Sequence, residues 1–92
     1  MTLIEEIRNR LSALSPTMLE IRDDSALHKG HAGNNGGGHF FLTIASAEFS
    51  GKSQVMRHRQ VYAMLGDLIP HKIHALSIQA IATDDPPVVT ID

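Results

Sequence analysis

Two alternating apolar segments, residues 39–46 and 72–81, flank a stretch whose apolar residues recur at helical spacing. That arrangement restricts the topology more than any other feature of the chain. In the first segment Phe40, Leu42 and Ile44 fall on one side and Phe41, Thr43 and Ala45 on the other, the period-2 pattern of a strand. The second alternates in the same way, with His74, Leu76 and Ile78 on one face and Ala75, Ser77 and Gln79 on the other. Between them, steps of about 100° per residue gather His58, Val61, Tyr62, Leu65, Leu68 and Ile69 into one helical stripe. Val55 lies at its edge, and Arg57 and Arg59 lie just outside its two borders as solvated shoulders. Pro70 ends the helical run, which admits a break into two helices. A helix between two strands of one sheet is a crossover, so the two strands are expected to run parallel with a right-handed connection.

Upstream, Thr2 and Glu5 have the form of a capping box, and Ile4, Ile7, Leu11 and Leu14 repeat at helical spacing until Ser15-Pro16. Residues 17–23 alternate again, with Leu19 and Ile21 on one face and Met18, Glu20 and Arg22 on the other. A long loop, 24–38, carries Gly30, Gly33, Gly36, Gly37 and Gly38 with Asn34 and Asn35. Loops of that length in small domains are usually functional or disordered. No helix separates the first two strands, so an antiparallel pair is expected. The order is helix, strand, strand, helix (or two short helices), strand. With the helices on one face of a three-stranded mixed sheet, it defines an α+β fold of KH-like character. One domain over 1–81 is expected, followed by a flexible tail over 82–92 in which Asp84-Asp85-Pro86-Pro87 breaks structure.

Ninety-two residues make one small domain, which buries only roughly 60–65% of its unfolded surface. No apolar run approaches the length of a membrane span, and no secretory signal pattern is present, so a cytoplasmic chain with no membrane partner is expected. Cysteine is absent, which excludes disulfides, thiol catalysis, zinc ribbons and thiolate-held clusters supplied by this chain alone. The net charge of −2 opposes wholesale nucleic-acid binding. Its distribution is uneven, because residues 51–72 hold the four cations Lys52, Arg57, Arg59 and Lys72 against the single carboxylate of Asp67. Six histidines beside only four aromatic residues is a biased composition that asks for a reason.

Three chemistries follow from these residues. Gly51-Lys52-Ser53 sits where a phosphate loop would, but the earlier glycine of that motif is replaced by Ser46, so a turn and helix cap is the expected role. Lys52, Arg57 and Arg59 near a helix start suit phosphate contact without sequence readout. His28 and His31 on the glycine-rich loop, with His74 at the start of the last strand and His71 before it, offer imidazole ligands for zinc, copper or iron. A mononuclear zinc or copper site at His28, His31 and His74 is one version of that chemistry. An iron–sulfur cluster is another, provided a partner supplies thiolates, as histidine replaces cysteine in Rieske centres. No carboxylate pair or serine–histidine spacing points to a hydrolase, and a non-enzymatic role is expected.

Phe49-x-Gly51-Lys-Ser53, Arg57-His-Arg-x-Val-Tyr62 and Ile73-His-Ala-Leu-Ser-Ile78 together resemble the BolA family. So do Leu19-Glu20-Ile21, Asp24-Ser25 and His39-Phe40, and the resemblance covers residues 4–81. It implies a class II KH-like domain that pairs with a monothiol glutaredoxin and completes a shared [2Fe–2S] cluster, alone being a monomer or weak homodimer. The partner's cysteine and glutathione would supply thiolates. His74 would supply one imidazole and the loop the other, from His28 with His31 as the fallback. The resemblance also implies, as the alternative, a DNA-binding transcriptional regulator working through the helix that bears Arg57, His58 and Arg59. The chain departs from many members after residue 81, where Asp84-Asp85-Pro86-Pro87 stands in place of a short helix with a tryptophan.

Overall fold

The computed structural model describes residues 2–24 and 38–86. His28 and His31 lie outside the described residues, as does the end of the tail. Helix α1, Leu3–Leu11, starts at Thr2, whose hydroxyl accepts the Glu5 backbone N–H at 3.1 Å. It tightens into a 3-10 turn at Ser12–Leu14, and the left-handed Ser15 (φ 48°) then redirects the chain into β1, Met18–Asp23. Strand β2 is Gly38–Ala45, and a 3-10 turn at Ala47–Phe49 leads to helix α2, Gln54–Leu65. A further 3-10 turn at Gly66–Leu68 precedes β3, Ile73–Ile81.

The sheet order is β1-β2-β3, antiparallel between β1 and β2 and parallel between β2 and β3, as the connections demand. The central strand supplies Phe40, Leu42 and Ile44 to a core completed by Ile7 and Leu11 of α1, Val61 and Leu65 of α2, and Phe49. Phe49, Leu42, Ile44, Val61 and Leu65 are fully enclosed. The opposite face carries exposed Glu20, Ser77 and Gln79, with the Arg22 guanidinium 4.7 Å above the Phe41 ring. Helices on one face only are what the alternation of β1 and β2 requires, since each contributes one apolar side.

Ser46 is the buried polar joint of the fold. Its hydroxyl donates to the Leu14 carbonyl at 2.5 Å and accepts the Glu48 N–H at 3.0 Å, while its own N–H donates to the Ile81 carbonyl at 2.9 Å. One small residue therefore ties the end of α1 to the ends of β2 and β3. Arg10 ties the helices together: it is paired with Asp67 and Glu6 and donates to the Met64 carbonyl. These ion pairs hold the Asp67 carboxyl below its ordinary range, chiefly through the Arg10 hydrogen bond, with burial opposing.

Three expectations are corrected. Helix α2 buries Arg57, Val61 and Leu65, followed by Leu68, so its inward line is one residue away from the stripe centred on His58. Tyr62 is exposed and His58 half-buried, whereas Arg57, expected as a solvated shoulder, is only 6% exposed. In β3 the alternation is interrupted at its start. Gly38 pairs with Ile73 but His39 pairs with Ala75, so His74 is the extra residue of a bulge. The bulge turns Ile73 into the core and leaves His74 exposed, instead of sharing the face of Leu76 and Ile78. Finally, the expected tail does not begin at residue 82: Ala82 belongs to the core, and Asp84 and Asp85 are bonded to Ser50 and Arg57.

Candidate functional site

The two groups of candidate residues occupy opposite ends of the sheet. Strand β3 has nine residues, a length of roughly 30 Å at about 3.3 Å each. His74 is its second residue, and Arg57 meets Ala80 near its other end.

At the N-terminal end of β2 and β3, the bulge places the His74 ring beside that of His39. Their centroids are 5.2 Å apart and the planes are inclined at 49°, so the rings converge without stacking. The chain leaves β1 at this same edge, where the Asp24 N–H donates to the His39 carbonyl at 2.7 Å. It returns at Gly38, whose N–H donates to the Lys72 carbonyl at 3.0 Å. Gly38 is confined by its neighbour, because a Cβ there would overlap the buried Phe40 ring. A hollow of about 350 Å³ beside the pair is lined by Asp24, His39, Phe40, Ala75 and Ser77. Asp24 is held by Arg22 in a two-bond ion pair, at 2.8 and 3.2 Å. The sequence pattern marks His39 only as the start of a strand. Its partnership with His74 depends on the bulge, for which the alternating sequence carries no signal.

At the other end, the Gly51 backbone adopts φ 74°, a conformation glycine takes readily, and the Ser53 hydroxyl accepts the Met56 N–H at 3.2 Å. Turn and cap are therefore what Gly51-Lys52-Ser53 provides. Lys52 is half-buried and donates to the Gln60 side chain at 2.9 Å; Arg59 is exposed. Arg57 points inward. Its guanidinium meets Asp85 at 2.7 and 3.0 Å, the Lys52 carbonyl at 2.9 Å and the Ala80 carbonyl at 3.2 Å. Asp85 also accepts the Ala82 N–H at 2.9 Å. The Arg57 hydrogen bond depresses the Asp85 pKa, the Ala82 N–H adds to this, and burial opposes both. The cationic surplus of residues 51–72 is accordingly smaller than the sequence count, since Arg57 is neutralised from outside that segment. Asp85 is the other residue that sequence reasoning missed. An open groove of about 820 Å³ runs past this clamp, lined by His58, Gln54, Ile78 and Pro86 among others.

Fold and site together define a small α+β, KH-like domain with a histidine pair at one sheet end and a clamped helix start at the other. Residues 11–85 match the family model described as BolA-like protein, and the chain belongs to that family. It is 46% identical over 81 residues to SufE-like protein 1, chloroplastic/mitochondrial, of Arabidopsis thaliana, covering 80% of this chain and 22% of that protein. It is 33% identical over 70 residues to the DNA-binding transcriptional regulator BolA of Haemophilus influenzae, covering 76% of this chain and 66% of that one. The chain thus spans less than two thirds of either relative. Among solved structures, BolA1 from Arabidopsis thaliana superposes with a TM-score of 0.80 at 35% identity, over 95% of this chain and 98% of that one. No described helix is long and apolar enough to cross a membrane.

Proposed function

We propose that this protein is a non-enzymatic adaptor that completes a [2Fe–2S] cluster shared with a monothiol glutaredoxin and glutathione, with His74 as one of its ligands. The observation that carries this reading is the exposure of His74 on a bulge, at the edge where residues 24 and 38 anchor the histidine-bearing loop. The donor set fits a shared cluster and not a self-contained one: the chain has imidazoles and no cysteine, so thiolates must come from the partner. His28, with His31 as the fallback, is the loop ligand that the family resemblance supports. Imidazole ligation in place of thiolate leaves the cluster less negative and raises its potential. Mixing the protein with a monothiol glutaredoxin, glutathione and iron–sulfide should give a heterodimer whose visible absorption and circular dichroism differ from those of the glutaredoxin homodimer. His74→Ala should abolish that difference while leaving the fold intact; a spectrum unchanged by His74→Ala would overturn the ligand assignment.

A second reading, DNA contact through the start of α2, is supported by the exposed Arg59, the nearby Lys52 and the name of the Haemophilus relative. Arg57 is spent on Asp85 and is not available as a contact in this arrangement. Lys52→Ala with Arg59→Ala should then weaken DNA binding and lower the slope of log affinity against log salt by about 2. Unaltered affinity in that double variant would remove the reading, and because the two sites lie at opposite ends of the sheet each can fail without the other.

A further inference from the structure

The geometry points to a two-imidazole chelate, His39 with His74, that takes a single divalent transition-metal ion in the protein by itself. Two imidazoles bound to one tetrahedral ion at about 2.0–2.1 Å have ring centroids roughly 5 Å apart. The His39 and His74 centroids are 5.2 Å apart, and the 49° inclination excludes a parallel stack. The arrangement is set by backbone, because β2 and β3 are hydrogen-bonded neighbours and the bulge between Gly38 and His39 brings His74 alongside. His39 is half-buried and His74 exposed, so one ligand is fixed by packing and the other is reachable from solvent.

Among the described residues no group of three or more histidine, cysteine or acidic side chains forms a metal cage. The chelate therefore supplies two ligands and leaves the remaining positions to water or to a second molecule. That is the arrangement of an open site rather than a closed structural one. Imidazole donors favour copper, nickel, iron and zinc over magnesium or calcium, and affinity should rise from cobalt to copper in the usual order. The mononuclear site expected from the sequence drew on His28 and His31; here the second ligand is His39. The inference does not rest on cluster sharing, since no glutaredoxin or sulfide is needed for the ion to bind.

The test is zinc titration of the chelator-treated protein, followed by two-dimensional NMR of the histidine rings. One equivalent should shift the His39 and His74 resonances together and leave those of His58 and His71 in place. His39→Gln and His74→Gln should each weaken zinc binding by about tenfold or more, with backbone amide spectra showing that both variants remain folded. The His28→Ala, His31→Ala double variant should bind zinc as the parent does. Shifts confined to His28 and His31, or zinc affinity unchanged in a folded His39→Gln protein, would overturn the assignment. So would the absence of any saturable shift at millimolar zinc. Failure here leaves the cluster experiment untouched, and loss of the His74 effect on the cluster spectrum leaves this one standing.

Discussion

Replacing Arg57 with alanine should lower the midpoint of thermal unfolding by roughly 10 °C or more, even though the residue looks from sequence like a surface contact. The guanidinium is enclosed and makes hydrogen bonds to Asp85 and to the carbonyls of Lys52 and Ala80. Removing it leaves the Lys52 and Ala80 carbonyls without that donor and a partly buried carboxylate without its counter-charge, with only the Ala82 N–H still bonded to it, which costs more than the net worth of the pair. The Arg57→Met, Asp85→Asn double variant should therefore be less destabilised than the sum of its singles, because neither then leaves a stranded charge. Additive losses would show that the clamp is not a coupled unit. The pH dependence follows from the depressed Asp85 pKa. A carboxyl with a folded pKa below its unfolded value contributes stability above the unfolded value of about 3.9, and loses it as the pH falls through the folded one. Asp85→Asn should accordingly lower stability at neutral pH and lessen its dependence on pH below about 4. Asp67 shares this behaviour through Arg10, so the acid limb should be reduced and not abolished. A DNA-binding loss in Arg57→Ala would report unfolding, which circular dichroism on the same sample would reveal.

Phe49→Ala should cost about 3–5 kcal/mol, a large fraction of the roughly 5–15 kcal/mol that holds a small domain folded. Phe49 is 0% exposed in the short turn between Ser46 and the start of α2. Its ring fills the core, and the turn it anchors is held by Ser46, Phe49 accepting the Lys52 N–H at 3.1 Å. Truncation would open a cavity under the segment that orients Lys52 and caps α2 with Ser53. Denaturant unfolding should show a lower midpoint with a transition that begins near zero denaturant. A loss under about 1 kcal/mol would mean that the core collapses into the space.

The topology was legible because it follows from periodicity and connection length. Leu19 and Ile21, then Phe40, Leu42 and Ile44, alternate cleanly, and an intervening helix forces the parallel pairing of β2 with β3. The phase of α2 was not legible. A hydropathy stripe excludes an arginine from its centre, and Arg57 is buried because the distant Asp85 and the Lys52 and Ala80 carbonyls satisfy its guanidinium. A sequence clue existed in the four-residue steps Arg57, Val61, Leu65 combined with the later Asp84-Asp85. The sequence marks His74 as a candidate but puts it on the face of Leu76 and Ile78, which it does not share. A bulge adds one residue and inverts everything on its N-terminal side, so Ile73 rather than His74 enters the core. The pairing of His39 with His74 is hidden for the same reason: two histidines thirty-five positions apart become neighbours only through strand register.

Strand β3 is an edge strand of the sheet. Its outer edge faces away from β2, and a bare edge invites pairing with a strand of another molecule. Here the Ala80 carbonyl is taken by Arg57, the Leu76 carbonyl by the Tyr62 hydroxyl at 3.4 Å, and the Ala82 N–H by Asp85. Helix α2 and the turn after β3 thus fence the strand with side chains at its middle and its C-terminal end. Losing Arg57 would uncover the Ala80 carbonyl on that edge, so a variant without it is expected to pair edge to edge with another copy more readily than the parent.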